Sequence, residues 1–321
     1  MKLVEDYQAS QAIMTANGLG IFQALALGSS SSDRIARNLS ISNRGTSRLL
    51  ESLKHLGLVR YSRDYKGDVL FSLTPLGRDL FGKEGSIRAW TEHYRVLFQI
   101  WSGLEKSVQN GAAVLDRTHD INIESYARGL MESYLISPWK LHKVIDLTGD
   151  IRMLDVGGGA GHLTVLAAVN NKKLRGTIFD RPEIIRIARN IIHDYDLERR
   201  ISLFPGNILQ TRWPNGFNTI LLSNVLHGKS DLEAEKIFAR AAKALDYGGR
   251  IFVNESIRGA NKASSLLDLT LMLCTREGRL RSRQELSGFA LRAGFGHLVW
   301  KRLDGAHWLM EGRMADGSFS N

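Results

Sequence analysis

Hydrophobic residues recur at helical spacing through the first part of the chain. The first predicted helix carries five of them, Ile13, Leu19, Ile21, Phe22 and Leu25. Further helices are predicted over Asp33–Asn38 and Gly45–Leu56, and Gly57 ends the second of these. Short apolar runs at Leu58–Tyr61 and Leu70–Leu73 flank a polar tip and predict a two-stranded ribbon. Three helices and a ribbon are typical of a winged helix-turn-helix.

Two long helical patterns rich in aromatic residues follow, over Ile87–Asn110 and Ile123–Leu147. The polar stretch between them, Gly111–Asn122, has no periodicity and is predicted to be a loop. We expect these helices to connect the two ends of the chain.

From Ile151 onward, short apolar runs alternate with helical segments. The predicted strands are Arg152–Val156, Gly176–Phe179, Ile201–Phe204, Thr219–Asn224 and Arg250–Asn254. Alternating strands and helices predict an α/β domain with a parallel sheet. A closing hairpin is predicted from Val299–Leu303 and His307–Glu311, which flank Asp304 and Gly305.

Composition and charge exclude several classes of protein. Hydrophobic residues make up 43% and charged residues 24%, so a disordered, collagen-like or membrane-embedded chain does not fit. The formal charge of +10 could serve a nucleic acid, an anionic membrane or an acidic substrate. The single cysteine, Cys274, permits no internal disulfide. With no export signal at Met1–Tyr7 and no run of ~18 apolar residues, we expect a cytoplasmic protein without membrane contact.

A glycine turn follows the first predicted strand of the α/β domain. Asp155 is followed by Gly157, Gly159 and Gly161, whereas a dinucleotide fingerprint starting at Gly157 would place its last glycine at His162. The pattern therefore argues against NAD. The second strand ends at Asp180, whose carboxylate could accept both hydroxyls of a ribose. A helix N-cap before Pro182 is an equally simple interpretation of Asp180 from local sequence.

The D-x-G-x-G-x-G form resembles the first motif of class I methyltransferases that depend on S-adenosylmethionine. Further matching segments are Asp180–Pro182, Pro205–Asn207, Ser223–His227 and Gly248–Arg250. In order and spacing the chain resembles the O-methyltransferase family that includes plant caffeate, acetylserotonin and bacterial tailoring enzymes. The resemblance implies a winged-helix dimerisation domain over residues 1–85, connecting helices that line the substrate pocket over 86–149, and a Rossmann-like catalytic domain over 150–321. It also implies a homodimer.

The resemblance assigns a cofactor site, with S-adenosyl-L-homocysteine as the product. The residues that it implies for this site are Asp155, Gly157, Gly159, Gly161, Asp180, Arg181, Asn207, Ile208 and Ser223. The glycines would lie under the amino acid end of the cofactor, and Asn207 and Ile208 would flank the adenine. Two positions depart from the family, since Asp is usual at Asn207 and Lys is common at Ser223.

His227 stands where the family has its general base, and Glu255 would orient its imidazole. Removing a proton from a phenol, whose pKa is near 10, would give the oxygen the anionic character that a sulfonium carbon accepts. A histidine that only packs near a strand end, and an ordinary polar strand terminus at Glu255, are the alternatives. Family members usually have Asp and Trp at Gly228 and Lys229 and a second carboxylate at Leu280. The base is then weaker, the substrate more acidic, or the acceptor not a phenol oxygen.

The resemblance also implies a pocket for a flat, largely apolar substrate. Its predicted lining residues are Tyr126, Leu130, Met131, Tyr134, Leu271, Met272 and Thr275. Each of them could equally be a core residue at helical spacing.

The predicted function is methyl transfer from S-adenosylmethionine to a hydroxyl of an aromatic small molecule in secondary metabolism. Alternatives are N- or C-methylation and a cofactor-binding protein with no methylation. A nucleic-acid-binding regulator is the alternative of another class, supported by the basic residues Arg34, Arg37, Arg44, Arg48, Lys54 and Arg60. We expect no nucleic acid partner, because basic residues are scattered along the whole chain, and no metal site, because no acidic or histidine cluster has ligand spacing.

Overall fold

The computed structural model describes residues 2–82, 87–114, 123–137 and 140–314. The chain forms two compact units, Met1–Gln99 with Arg128–Ile136, and Ile100–Ala127 with Ser137–Asn321. The region 86–149, predicted to connect two domains, is divided between them. Part of this region belongs to the first unit, where the Glu132 carboxylate accepts the Trp90 N–H at 2.8 Å and so joins two of its helical segments.

The first unit contains a helical cluster and a two-stranded ribbon. Its elements are α1 (Lys2–Gly18), α2 (Ile21–Ala26), α3 (Ser32–Leu39), α4 (Asn43–His55), β1 (Val59–Arg63), β2 (Val69–Leu73), α5 (Pro75–Phe81) and most of α6 (Arg88–Trp101). The strands β1 and β2 pair antiparallel. This mostly helical unit confirms the predicted winged-helix fold class.

The helix predicted through Ile13 and Leu25 is two helices, so that prediction is wrong. Gly20 has φ of +82°, a left-handed conformation that ends one helix and starts the next. The turn lets Phe22 enter the core, where its ring stacks on Phe81 at 4.0 Å between centroids. Burial of both rings stabilises the unit by several kcal/mol, at roughly 2–3 kcal/mol for each ring.

The second unit is built on a seven-stranded sheet. Its elements are α7 (Leu104–Asn110), α9 (Leu141–Val144), β3 (Arg152–Val156), α10 (His162–Asn170), β4 (Arg175–Asp180), α11 (Pro182–Asp194), β5 (Ile201–Pro205), β6 (Phe217–Ser223), α12 (Asp231–Ala244), β7 (Leu245–Ser256), α13 (Lys262–Cys274), α14 (Arg283–Arg292), β8 (Phe295–Arg302) and β9 (His307–Met314). The helix α8 (Ile123–Ile136) contributes to both units. The two long helical patterns are therefore interrupted, and residues 115–122 of the predicted loop lie outside the described residues.

The sheet order is β5-β4-β3-β6-β7-β9-β8, in which β9 pairs antiparallel with both β7 and β8 and the other pairs are parallel. All five parallel strands and the hairpin were predicted, so the α/β, Rossmann-like class is confirmed. The strand order reverses at β3, which lies between β4 and β6. Open α/β sheets bind ligands in the crevice outside the carboxyl ends of their strands at such a switch point.

Nothing in the described part of the chain is both long and apolar enough to form a membrane-spanning helix.

Candidate active site

The glycine turn after β3 depends on glycine at three positions. Gly157, Gly159 and Gly161 have φ of +68°, +59° and +80°, which side chains rarely adopt. A Cβ on Gly157 would lie 2.8 Å from Val225 Cγ2, and one on Gly161 would lie 2.5 Å from Ile178 Cδ1. No described atom lies within 4 Å of a Cβ on Gly159. The outer glycines therefore allow tight packing, and the middle one borders open space.

Asp155 lies beneath this turn and is almost completely buried. Its Oδ2 accepts the Thr164 hydroxyl at 2.7 Å, and its Oδ1 has no hydrogen-bond partner among the residues that the structure describes. Burial raises the pKa of Asp155 to about 7 against the opposing effect of Thr164, and the nearby Asp180 raises it further. Thr164 was not predicted, because its only sequence signal is a position one turn into the helix after the glycines.

Asp180 closes the glycine turn against the end of β4. Its Oδ2 accepts the Gly159 N–H at 2.9 Å, and its Oδ1 accepts the Arg181 N–H at 2.7 Å. Burial raises the pKa of this carboxyl, although both N–H groups lower it. The N-cap of α11 is Arg181, with Pro182 at the first helical position. The alternative in which Asp180 itself is the N-cap is therefore wrong.

The other predicted cofactor residues follow β4, β5 and β6. Asn207 is exposed, and its Oδ1 accepts the Leu209 N–H at 2.9 Å in a local turn. The carbonyl of Ile208 accepts the Trp213 indole N–H at 2.8 Å. Ser223 Oγ accepts the Asn254 amide at 2.9 Å, and the Arg181 guanidinium pairs with Glu183 at 3.3 Å. Cofactor binding by these side chains stays a prediction.

His227 lies on a 3₁₀ turn, Leu226–Gly228, between β6 and α12. Its Nδ1 is 2.6 Å from Oε2 of Glu255, and Oε1 of the same carboxylate accepts the Leu226 N–H at 2.6 Å. In a neutral imidazole paired with an ionised carboxylate, Nδ1 is the donor and Nε2 has the lone pair. The side chain of Glu255 is 3% exposed and that of His227 is 15% exposed. This orientation leaves His227 able to accept a proton at Nε2.

Two positions that depart from the resembled family lie at this turn, Gly228 within it and Leu280 in a segment that runs past it. No atom of the described residues lies within 4 Å of a Cβ on Gly228. Leu280 is fully buried, and its N–H donates to the Asp268 carboxylate at 2.6 Å. A Cβ on Gly278 would lie 2.8 Å from the His227 carbonyl oxygen, so this segment runs closely past the turn.

The predicted substrate residues are divided between the two units. Leu130, Met131 and Tyr134 belong to the first unit, and Tyr126, Leu271, Met272 and Thr275 belong to the second. Tyr134 and Leu271 are buried, and the others are partly buried. The Thr275 hydroxyl donates to the Leu271 carbonyl at 2.6 Å and accepts the Gly278 N–H at 2.9 Å, so it caps the end of α13. Substrate binding by this set stays a prediction.

Comparisons with known proteins agree with this architecture. The profile of the O-methyltransferase domain matches residues 108–296, and that of the O-methyltransferase dimerisation domain matches residues 1–83. Acetylserotonin O-methyltransferase of Mus musculus is 26% identical over 344 residues, covering 99% of this chain and 88% of the relative. The 3-hydroxy-5-methyl-1-naphthoate 3-O-methyltransferase of Streptomyces sahachiroi is 28% identical over 275 residues, covering 82% and 78%. The structure of human N-acetylserotonin methyltransferase in complex with SAM (S-adenosylmethionine) has a TM-score of 0.87 at 22% identity, covering 98% and 96%.

Proposed function

Because this chain belongs to the O-methyltransferase family, we propose that it transfers the methyl group of S-adenosylmethionine to a hydroxyl of an aromatic small molecule, with His227 as general base. The observation that carries this proposal is the 2.6 Å pair of His227 and Glu255 at the carboxyl edge of the sheet. The glycine turn stands at the same edge, beside the point where the strand order reverses.

The residues of the glycine turn fit a bound cofactor. Gly159 borders open space, and the buried Oδ1 of Asp155 has no partner among the described residues. The Asp180 carboxylate would hold the ribose hydroxyls, and Asn207 and Ile208 would flank the adenine. When bound, S-adenosylmethionine supplies a methyl group on a positively charged sulfur.

His227 would act on the acceptor through Nε2. It takes the proton of the acceptor hydroxyl while its own Nδ1–H stays bonded to Glu255. The acceptor oxygen gains the anionic character needed to attack a methyl carbon, and the carboxylate of Glu255 stabilises the imidazolium that forms. General base help of this kind contributes about 10²- to 10⁴-fold to a rate.

An aromatic acceptor is supported by the names of the relatives, which methylate acetylserotonin and a hydroxynaphthoate. The side chains that the resemblance implies for substrate binding are all apolar or aromatic, namely Tyr126, Leu130, Met131, Tyr134, Leu271 and Met272. We infer a role in tailoring a secondary metabolite from the naphthoate enzyme. Leu280, Gly228 and Lys229 favour an acceptor that needs less help to lose its proton.

A screen for turnover tests the function. The purified protein is incubated with S-adenosylmethionine and with acetylserotonin, hydroxynaphthoates and simple phenols, and each product is checked for the added methyl mass. A methylated product whose formation requires His227 supports the proposal. Methylation of nitrogen or carbon instead would favour the N- or C-methylation alternative.

Cofactor binding should depend on Asp180. We expect Asp180→Ala to raise the Kd for S-adenosylmethionine by about 10- to 100-fold, because an ionised acceptor is lost and such hydrogen bonds are worth about 1.5–3 kcal/mol each. Calorimetric titration measures the change. Asp194→Ala is the control, since Asp194 is exposed at the far end of the adjoining α11. A Kd for Asp180→Ala within twofold of the wild-type value would remove the ribose role.

The first unit should form a homodimer. The match to the dimerisation domain supports this, as do the exposed apolar residues of α1 and α6, which are Val4, Tyr7, Tyr94 and Phe98. The rings of Tyr7 and Phe98 stack with centroids 6.5 Å apart, so one apolar patch spans both helices.

Replacing both rings of this patch, in Tyr7→Glu with Phe98→Glu, should give a monomer, because an interface cannot bury two unpaired charges. Sedimentation equilibrium measures the mass. Tyr65→Glu is the control, because Tyr65 is 91% exposed on the tip of the ribbon. A dimer that survives the double substitution would place the interface elsewhere.

Two of the six basic residues that motivated the nucleic-acid alternative are paired with acidic side chains. Arg37 pairs with Asp33 at 2.6 Å, and Lys54 pairs with Glu51. These pairs partly neutralise the basic face, and the region that carries them matches a dimerisation domain.

A further inference from the structure

The backbone of the His227 turn is held from two sides by charged side chains. The N–H of Leu226 donates to Glu255, and the carbonyl of the same residue accepts Nη1 of Arg281 at 2.7 Å. The Lys229 carbonyl, just after the turn, accepts Nη2 of Arg281 at 2.6 Å. One guanidinium therefore joins both ends of the turn that carries His227.

The guanidinium of Arg281 is buried, with its side chain 1% exposed. A buried cation is stable only when it is paired and hydrogen-bonded. Asp231, the first residue of α12, supplies the carboxylate, with Oδ1 3.0 Å from Nε and 2.9 Å from Nη2. Each nitrogen of the group thus has a partner, and two of the partners are the carbonyls at the start of the turn and just after it.

The backbone of Arg281 is anchored close to Glu255. Ile257 forms a parallel bridge to Arg281, and the Arg258 N–H donates to the Arg281 carbonyl at 3.1 Å. Glu255 lies two residues before this bridge, on β7. The carboxylate that holds the imidazole and the guanidinium that holds its turn therefore share one rigid support.

We propose that Arg281 is a positioning residue for His227, which rests on the proposed role of His227 as base. Its planar guanidinium bonds to two carbonyls at once. It therefore holds the turn in the position in which Nδ1 of His227 bonds to Glu255. Lysine keeps the charge but is a single point donor on a flexible stem. Arg281→Lys therefore separates positioning from charge.

Arg279 provides a matched control. It pairs with the same Asp231 at 2.8 Å and with Glu285 at 2.8 Å. Within the described part of the chain, its hydrogen bonds go to these carboxylates and to no carbonyl of the His227 turn. Arg279→Lys makes the same chemical change two residues away.

The first test needs no acceptor. A histidine N–H bonded to a buried carboxylate gives a downfield proton NMR signal, which is assigned to His227 by its loss in His227→Ala. We expect the signal to be lost or broadened in Arg281→Lys and kept in Arg279→Lys, with thermal unfolding as the check on folding. If Arg281→Lys does not fold, Asp231→Asn replaces it, because half-exposed Asp231 orients the guanidinium. A signal unchanged in the folded variant overturns the proposal.

The second test separates this proposal from the proposed function. With an acceptor from the phenol screen, Arg281→Lys should lower kcat by about 10- to 100-fold and leave KM within twofold. In a His227→Ala background the same change should cost less than about threefold, because the group being positioned is gone. An equal loss in both backgrounds would make Arg281 merely structural. No loss in His227→Ala itself would instead remove His227 as the base.

Discussion

His227→Ala is expected to lower kcat by about 10²- to 10⁴-fold while the Kd for S-adenosylmethionine stays within twofold. In the proposed mechanism the imidazole would accept the acceptor's proton through Nε2, but it belongs to the turn after β6 and not to the glycine turn. Steady-state kinetics with a phenol from the screen and calorimetric titration of the cofactor measure the two quantities separately.

A matched control for this substitution lies on the surface. His193 is paired through Nδ1 with Glu198 at 2.7 Å, much as His227 is paired with Glu255, but it is exposed on α11. His193→Ala should leave kcat unchanged. A kcat for His227→Ala close to that of the wild type would mean that in-line positioning alone drives the transfer. A site that needs no base would also need no second carboxylate, which would explain Leu280 at that position.

Asp155→Asn is expected to change how stability depends on pH. In the cofactor-free protein, burial raises the pKa of Asp155 from its ordinary 3.8 to about 7, so the folded state holds more protons between these values. The free energy of unfolding of the wild type therefore falls as pH rises through this window. The variant lacks this loss. Between pH 4 and pH 8, the free energy of unfolding of Asp155→Asn should therefore rise by about 2–4 kcal/mol relative to that of the wild type, since one pKa unit is worth about 1.4 kcal/mol.

Urea unfolding at several pH values, without cofactor, measures that slope. The amide leaves a buried N–H group in place of an oxygen, so its absolute stability can drop by about 1–3 kcal/mol at every pH. The slope is therefore the informative quantity. Asp194→Asn, on the exposed end of α11, should reproduce the wild-type slope. Parallel curves for wild type and Asp155→Asn would mean that Asp155 is ionised throughout.

The parts of the fold that were predicted are those with local signals. The strand Arg152–Val156 was predicted to the residue, because a buried parallel strand is a short apolar run that a glycine turn ends. The pairing of His227 with Glu255 was implied by the family resemblance, and the structure brings the two residues together at one edge of the sheet. The break at Gly20 was missed, because apolar spacing continues unchanged across it.

The rest of the site depends on contacts between distant segments. Arg281 lies 55 residues from the Leu226 carbonyl that it holds, and neither position has a local pattern that announces the bond. Thr164 reaches Asp155 because α10 begins directly after the glycine turn that follows β3. The sequence showed Leu280 as a missing carboxylate, yet the backbone N–H there donates to Asp268, which spacing could not predict.

The contact between Gly157 and Val225 sets the distance between the glycine turn and the loop that contains His227. Val225 fills the space where Gly157 would carry a Cβ, and it lies two residues before His227. The glycine turn, which would hold the methyl donor, and the loop with the proposed base are therefore packed directly against each other, and this contact sets the distance between them. A change of acceptor, in evolution or by engineering, would then come from substitutions in the surrounding helices, while the distance between these two loops stays constant.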